Sequence, residues 1–329
     1  MTADPSVAAT PLTFDDTVAL LMNATCPADV FGAGHTYRDL AKLVHPDHAA
    51  PAEVARATAA FERLTALREA MKGTTLKSYR LTQVIARGDL ANVYATADMD
   101  VVVKIGRDPT CSDLLEAEAA ALNRITDERF RPYVPHLIES FSYREPGTGV
   151  QRTANVLHRA RGFVSLAEVR EAYPGGVDPR DAAWIWRRLL VAIGAAHRAG
   201  VIHGAVLPEH VLIEPALHGL MLIDWCYATS GAPVPALVER YDSWYPEEVH
   251  TGRTPGPGTD IHLATRCMVE LMGGRIPPAL AMFARGCTLP RLATRPDDAW
   301  AVLRDLDEAL HKLYGPRTFR PFVMPEPHR

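Results

Sequence analysis

The hydrophobic pattern alternates between helical and strand-like spacing along this chain, and the order of those changes constrains the fold more than any single motif. Before residue 73 the spacing is helical. Phe61, Leu64 and Leu67 recur on one face, and Val54, Ala57 and Ala60 extend it. Shorter helices are predicted over Asp15–Met22 and Thr36–Val44, and a long one over Pro51–Met71. At Tyr79 the text becomes strand-like. Leu81–Ile85 and Asn92–Ala97 flank a short loop, and Val101-Val102-Val103-Lys104-Ile105 is a β-branched run with strand character. Leu114–Arg124 returns to a helical pattern, followed by strands over Pro135–Tyr143 and Arg152–His158. After Gly162 the chain reads as mostly helical: Pro179–Ala199 (broken at Gly194), Ile261–Leu271 and Pro296–Tyr314. A hairpin-like pair, Val211–Ile213 and Leu220–Asp224, sits among these helices.

This order predicts an α+β chain. A flexible tail (1–11) leads into a small all-α module (12–73). A strand-rich lobe with one helix (79–162), a larger helical lobe (163–315) and an extended Pro- and Arg-rich extension (316–329) follow. No internal repeat is present.

Composition excludes several classes. With 329 residues and a net charge of -4, nothing draws the chain to nucleic acid or an acidic membrane surface. No apolar run approaches the roughly 20 residues that span a bilayer, and no signal-peptide pattern is read. Five scattered cysteines, at 26, 111, 226, 267 and 287, form no Cys-x-x-Cys pair. They fit a reducing, cytoplasmic compartment.

Five short motifs carry the chemistry, in fixed order. Ile85-Ala86-Arg87-Gly88-Asp89-Leu90-Ala91-Asn92-Val93 places one glycine between two strands. Lys104 closes a strand, with Glu118 on the next helix and Glu116 as its alternative. Val201-Ile202-His203-Gly204-Ala205-Val206-Leu207-Pro208-Glu209-His210-Val211-Leu212-Ile213 is a loop running into the hairpin. Leu222-Ile223-Asp224-Trp225-Cys226 ends that hairpin on an acid. Trp244-Tyr245-Pro246-Glu247 is followed by Asp260-Ile261-His262 and Arg295-Pro296.

In this order the motifs resemble the protein kinase family from about Tyr79 to Tyr314, and imply its bilobal fold. The resemblance assigns nucleotide contacts to Gly88, Lys104, Glu118 and Asp224. Metal duty falls to Asp224 and to His210, which stands where that family has asparagine. It also implies a Glu247–Arg295 pair, with Glu248 as the fallback, and a buried Asp260 capping the loop. The departures fall where chemistry happens. Ala86 and Ala91 replace two glycines, Ala205 occupies the position of the base aspartate, and Leu207 stands where a lysine is usual. Neutral imidazole at His210 suits Mn or Zn better than Mg.

Tyr37-Arg38-Asp39-Leu40-Ala41-Lys42-Leu43-Val44-His45-Pro46-Asp47, with the helix after it, resembles a J-domain over about residues 12–73. That resemblance implies a DnaK-type chaperone as partner, contacted by Arg38, Lys42, His45, Pro46 and Asp47. The combined expectation is a pseudokinase-like scaffold or regulator that binds ATP with Mg or Mn and holds an unidentified protein client. The alternative is an unconventional ATP-dependent kinase or nucleotidyl transferase using Lys104, Glu118 and Asp224 without the usual aspartate.

Overall fold

The computed structural model describes residues 12–24, 27–31, 35–72, 75–97, 100–145 and 148–325. The expected tail at 1–11, and Cys26, lie outside them. The chain forms two compact units: residues up to Arg87 with Val93–Met99, and Gly88–Asn92 with Asp100 onward.

The first unit begins with four helices: α1 (Phe14–Asn23), α2 (Pro27–Phe31), α3 (Tyr37–Val44) and α4 (Val54–Lys72). Thr13 starts α1 through a reciprocal capping box with Asp16, and the Thr36 hydroxyl accepts from the Asp39 amide to start α3. Pro46 ends α3, because the residue before a proline is pushed out of helical geometry and His45 is extended (φ -68, ψ 127). The helices enclose Leu21, Val30, Leu40, Val44, Ala60, Leu64 and Leu67. Two strands follow, β1 (Thr75–Leu76) and β2 (Tyr79–Arg87), which pair antiparallel, and β3 (Ala91–Thr96), next to β2, belongs to this unit from Val93 on. Because α4 packs on β2, this unit runs past the expected join at residues 73–79.

The second unit opens with β4 (Val101–Gly106), α5 (Ser112–Arg124), β5 (Leu137–Arg144) and β6 (Gln151–His158). The strands lie in the order β4-β6-β5, and the register sets Lys104 opposite Asn155. All of β4 is buried, so every residue of its β-branched run packs. A second sheet joins β7 (Val164–Ser165), β8 (Val211–Glu214) and β9 (Gly219–Leu222). Around it lie α6 (Leu166–Ala172), α7 (Pro179–Arg198), α8 (Glu247–His250), α9 (Pro257–Met272), α10 (Pro278–Cys287) and α11 (Ala299–Tyr314).

Gly194 does not break α7. A Cβ there would stand 2.8 Å from the Trp300 ring, so glycine admits the tryptophan, whose indole N–H donates to the Gly194 carbonyl at 3.2 Å. Asp178 and Pro179 start α7, a cap and an N1 proline that supply what a first helical turn lacks. The buried face of α9 then sets Asp260 against the loop before β8. Among the described residues, no helix is long and apolar enough to cross a membrane.

Candidate functional site

Three segments of the second unit bring the charged side chains together. Strand β4 carries Lys104, helix α5 carries Glu118, and the turn after β9 carries Asp224. The Lys104 ammonium lies 2.8 Å from Glu118 and 2.5 Å from Asp224. Asn155 on β6 fixes the glutamate from the other side. Its amide donates to Glu118 at 2.9 Å and to the Leu115 carbonyl at 2.8 Å. Glu116 points elsewhere and accepts from the Thr153 hydroxyl. Asp224 holds a left-handed conformation (φ 65, ψ 54), uncommon for a residue with a side chain. It ends the hairpin with its carboxylate toward the lysine.

Charge and burial oppose each other here. Burial alone would lower the pKa of Lys104, but Asp224, Cys226 and Glu118 raise it well above the usual lysine range. Burial would raise Asp224, and the cations of Lys104 and His210 hold it well below the usual carboxylate range. This is the expected result of low-dielectric pairing.

The His210 ring lies 2.8 Å from the Ala205 carbonyl through Nδ1 and 3.2 Å from Asp224 through Nε2. An Nδ1–H to the carbonyl leaves Nε2 facing a carboxylate, an arrangement satisfied when both nitrogens carry protons. Burial pulls the His210 pKa down, but Asp224 more than offsets it, and the net direction is up. Tyr227 stacks on the same ring at 5.5 Å.

The loop itself is held from behind. Asp260 accepts from the backbone amides of His203 at 2.8 Å and Gly204 at 2.9 Å, and pairs with His197 at 2.9 Å. His203 accepts from the Ala205 amide through Nδ1 and donates through Nε2 to the Ile223 carbonyl. Ala205 and Leu207 are both 0% exposed. The position of the usual base thus carries a methyl group with no reach into solvent.

Gly88 begins a tight turn. Its amide donates to the Ala91 carbonyl at 2.9 Å, and the Leu90 carbonyl accepts from Arg107 at 2.8 Å. Gly88 and Asp89 are both exposed in that turn, so an acid stands next to the expected phosphate contact. The structure therefore gathers Lys104, Glu118, Asp224 and His210 into one network, with Ala205 beside it. Arg38, Lys42, His45, Pro46 and Asp47 belong to the first unit.

One expected pairing differs. Arg295 binds Glu248, not Glu247, which turns outward to Arg253 at 2.6 Å. Sequence reading also passed over Asn155 and Cys226. A polar residue inside the apolar run Ala154–Leu157 was the available signal for the first. The second lies close enough to Glu118 and Asp224 for the three to form a cluster of potential ligand atoms.

No sequence-family profile matches the chain. It is similar to the serine/threonine-protein kinase PknE of Mycobacterium tuberculosis, 27% identical over 155 residues, covering 44% of this chain and 25% of PknE. The chain thus aligns with only about a quarter of that relative's length. It is also 25% identical over 285 residues to PknD of the same species, covering 73% of this chain and 40% of PknD. Among solved structures, the Mycobacterium tuberculosis PknI kinase domain superposes with a TM-score of 0.56 at 14% identity, covering 72% of this chain and 98% of that one. The BubR1 kinase domain gives 0.54 at 16%, covering 73% and 82%. The fold is kinase-like.

Proposed function

We propose that the kinase-like body binds ATP and transfers a phosphoryl or nucleotidyl group without a carboxylate base. The observation that carries this reading is the Lys104 ammonium held between Glu118 and Asp224, at 2.8 and 2.5 Å. The donor set fits the group. Lys104 is a cation suited to phosphate oxygens, and Asp224 offers hard carboxylate oxygen for Mg or Mn. A bound divalent ion would supply neutralisation of phosphate charge. His210 adds a fixed N–H beside that carboxylate, and Glu118, itself gripped by Asn155, orients the lysine. Because phosphoryl transfer is mainly positioning and electrostatics, loss of the base slows it without abolishing it, by roughly 10²–10⁴-fold. The low-identity likeness to serine/threonine kinases favours this reading.

The test is intact-mass measurement after incubation with ATP and Mg or Mn. A gain of one phosphate or one nucleotide, on the chain or an added protein, is expected, and it disappears in Lys104→Ala. No mass gain with either metal overturns the reading.

The complete burial of Ala205 and Leu207 favours a second one. In it the body is a pseudokinase scaffold that binds nucleotide and signals by conformation while holding a protein client. ATP binding by calorimetry with no transfer to any added protein selects this scaffold.

For the first unit we propose recruitment of a DnaK-type chaperone. The connection His45-Pro46-Asp47 between α3 and α4 supports it, as do Arg38 and Lys42, exposed one helical turn apart. His45 packs edge-on against Phe61 of α4 at 4.9 Å, and its Nδ1 accepts from the Asp47 amide. Purified chain is expected to stimulate the chaperone's ATPase, and His45→Gln to remove that stimulation. Equal ATPase rates with and without the chain would leave α1–α4 a packing module.

A further inference from the structure

Beyond α11 the chain runs without regular structure from Gly315, yet it is seated on the body at four points. The Phe322 ring is 5% exposed and lies between Tyr173 at 5.8 Å and Trp184 at 6.1 Å. The Arg320 guanidinium meets both oxygens of Asp181, at 2.9 and 3.4 Å. Phe319 lies against the His218 ring at 4.5 Å, and that ring stacks on Trp184 at 4.1 Å with only 5° between planes. The Tyr173 hydroxyl donates to the Val323 carbonyl.

The receiving residues come from separate elements: the residue after α6, the first turns of α7, and the β8–β9 turn. His218 sits in that turn with φ 56, in the left-handed region, and its ring stacks on Trp184 of α7. The seated segment is read as a peptide is read: one aromatic in a cleft, one guanidinium on a carboxylate, one aromatic on a flat ring. It does not resemble core. Phe319 is 66% exposed and Val323 71%, so only Phe322 is withdrawn from water.

We propose that Tyr173, Asp181, Trp184 and His218 form a peptide-docking groove for a Phe-Arg-x-Phe segment, occupied in cis by Phe319–Val323 and reversibly released. The tether is short, so the occupant's effective concentration is high, about millimolar. A free peptide of the same sequence therefore enters only when the resident segment is weakened.

The experiment uses the full chain. A fluorescein-labelled peptide spanning residues 316–325 is titrated by anisotropy into the wild type and into Phe322→Ala. Micromolar binding to the variant, at least 10-fold weaker binding to wild type, and loss of binding when the peptide itself carries Arg320→Ala are expected. A folded Phe322→Ala chain that ignores the peptide, or a wild type that binds it equally well, overturns the proposal. A second arm stands independently of that variant's folding. Chymotryptic cleavage after Phe322 should be at least 10-fold faster in Asp181→Arg than in wild type, and should slow again in Asp181→Arg combined with Arg320→Asp. Equal cleavage in all three chains overturns the groove.

Discussion

The Arg295 guanidinium reaches the Glu248 carboxylate at 2.6 Å, with 0% and 3% of the two side chains exposed. Thr259 donates to the same carboxylate at 2.9 Å, and Arg295 donates again to the Gly258 carbonyl at 3.2 Å. The pair ties α8 to the segment before α11, and the bonds to Thr259 and Gly258 add the start of α9. Arg295→Ala leaves a buried carboxylate without its cation, and is expected to cost about 3–5 kcal/mol in urea unfolding. Glu247→Ala removes only a surface pair and is expected to cost less than about 1 kcal/mol.

Lys104→Ala is expected to act on binding and stability together. Calorimetric ATP affinity should fall at least 10-fold, given the proposed role of that ammonium. Thermal unfolding should also move down, because Glu118 is 1% exposed and loses its cation. Adding Glu118→Gln should recover part of the stability and none of the binding. If the double variant is no more stable than the single one, the pair is not coupled as described.

Stability is expected to fall in mild acid. Burial lowers the pKa of His203 to about 4, and burial with Arg295 and Arg266 does the same for His262. The unfolded chain protonates both near 6.5, so below that value it binds more protons than the fold does. Their contribution is full above pH 6.5 and is lost as pH falls towards 4. The loss is on the order of 2 kcal/mol per histidine by pH 5. His210 runs the other way, since its raised pKa gives a contribution that fades as pH climbs through the folded value. Urea midpoints between pH 7 and 5 should decline, and less steeply in His262→Gln.

Gly176→Ala should be severely destabilising. Its φ of 85 is left-handed, and a Cβ would stand 2.1 Å from the Met272 carbonyl oxygen. Backbone would have to move on both sides, at a cost of at least about 2 kcal/mol. Gly175→Ala, with nothing within 4 Å of its Cβ, is the matched control.

Much of the kinase-like layout was legible because it is written in periodicity. The β-branched run at 101–105 and the Ala/Glu/Leu stretch after it became β4 and α5, and the short pair at 211–213 and 220–224 became β8 and β9. Register was harder. Pro246-Glu247-Glu248 offers two adjacent acids, and only the turn of α8 decides which faces Arg295. Gly194 reads as a breaker until Trp300, over a hundred residues later, is seen to need the space. Asn155 could not be tied to Glu118 without knowing that β6 pairs with β4. The seated segment around Phe322 was invisible for a similar reason: its partners lie in three elements, and proline-rich text reads as merely extended.

Asp260 and His203 have one more consequence. The loop from His203 to His210 is held by Asp260 and His203 on one side and by the His210 ring on the other, which meets the Ala205 carbonyl and Asp224 at once. The loop's form is therefore tied to the charged network through His210, and the side chains at 205 and 207 add no hydrogen bond to it. Both side chains are fully buried, so an acid introduced at 205 or a lysine at 207 would meet the desolvation cost of the interior before it could meet a substrate.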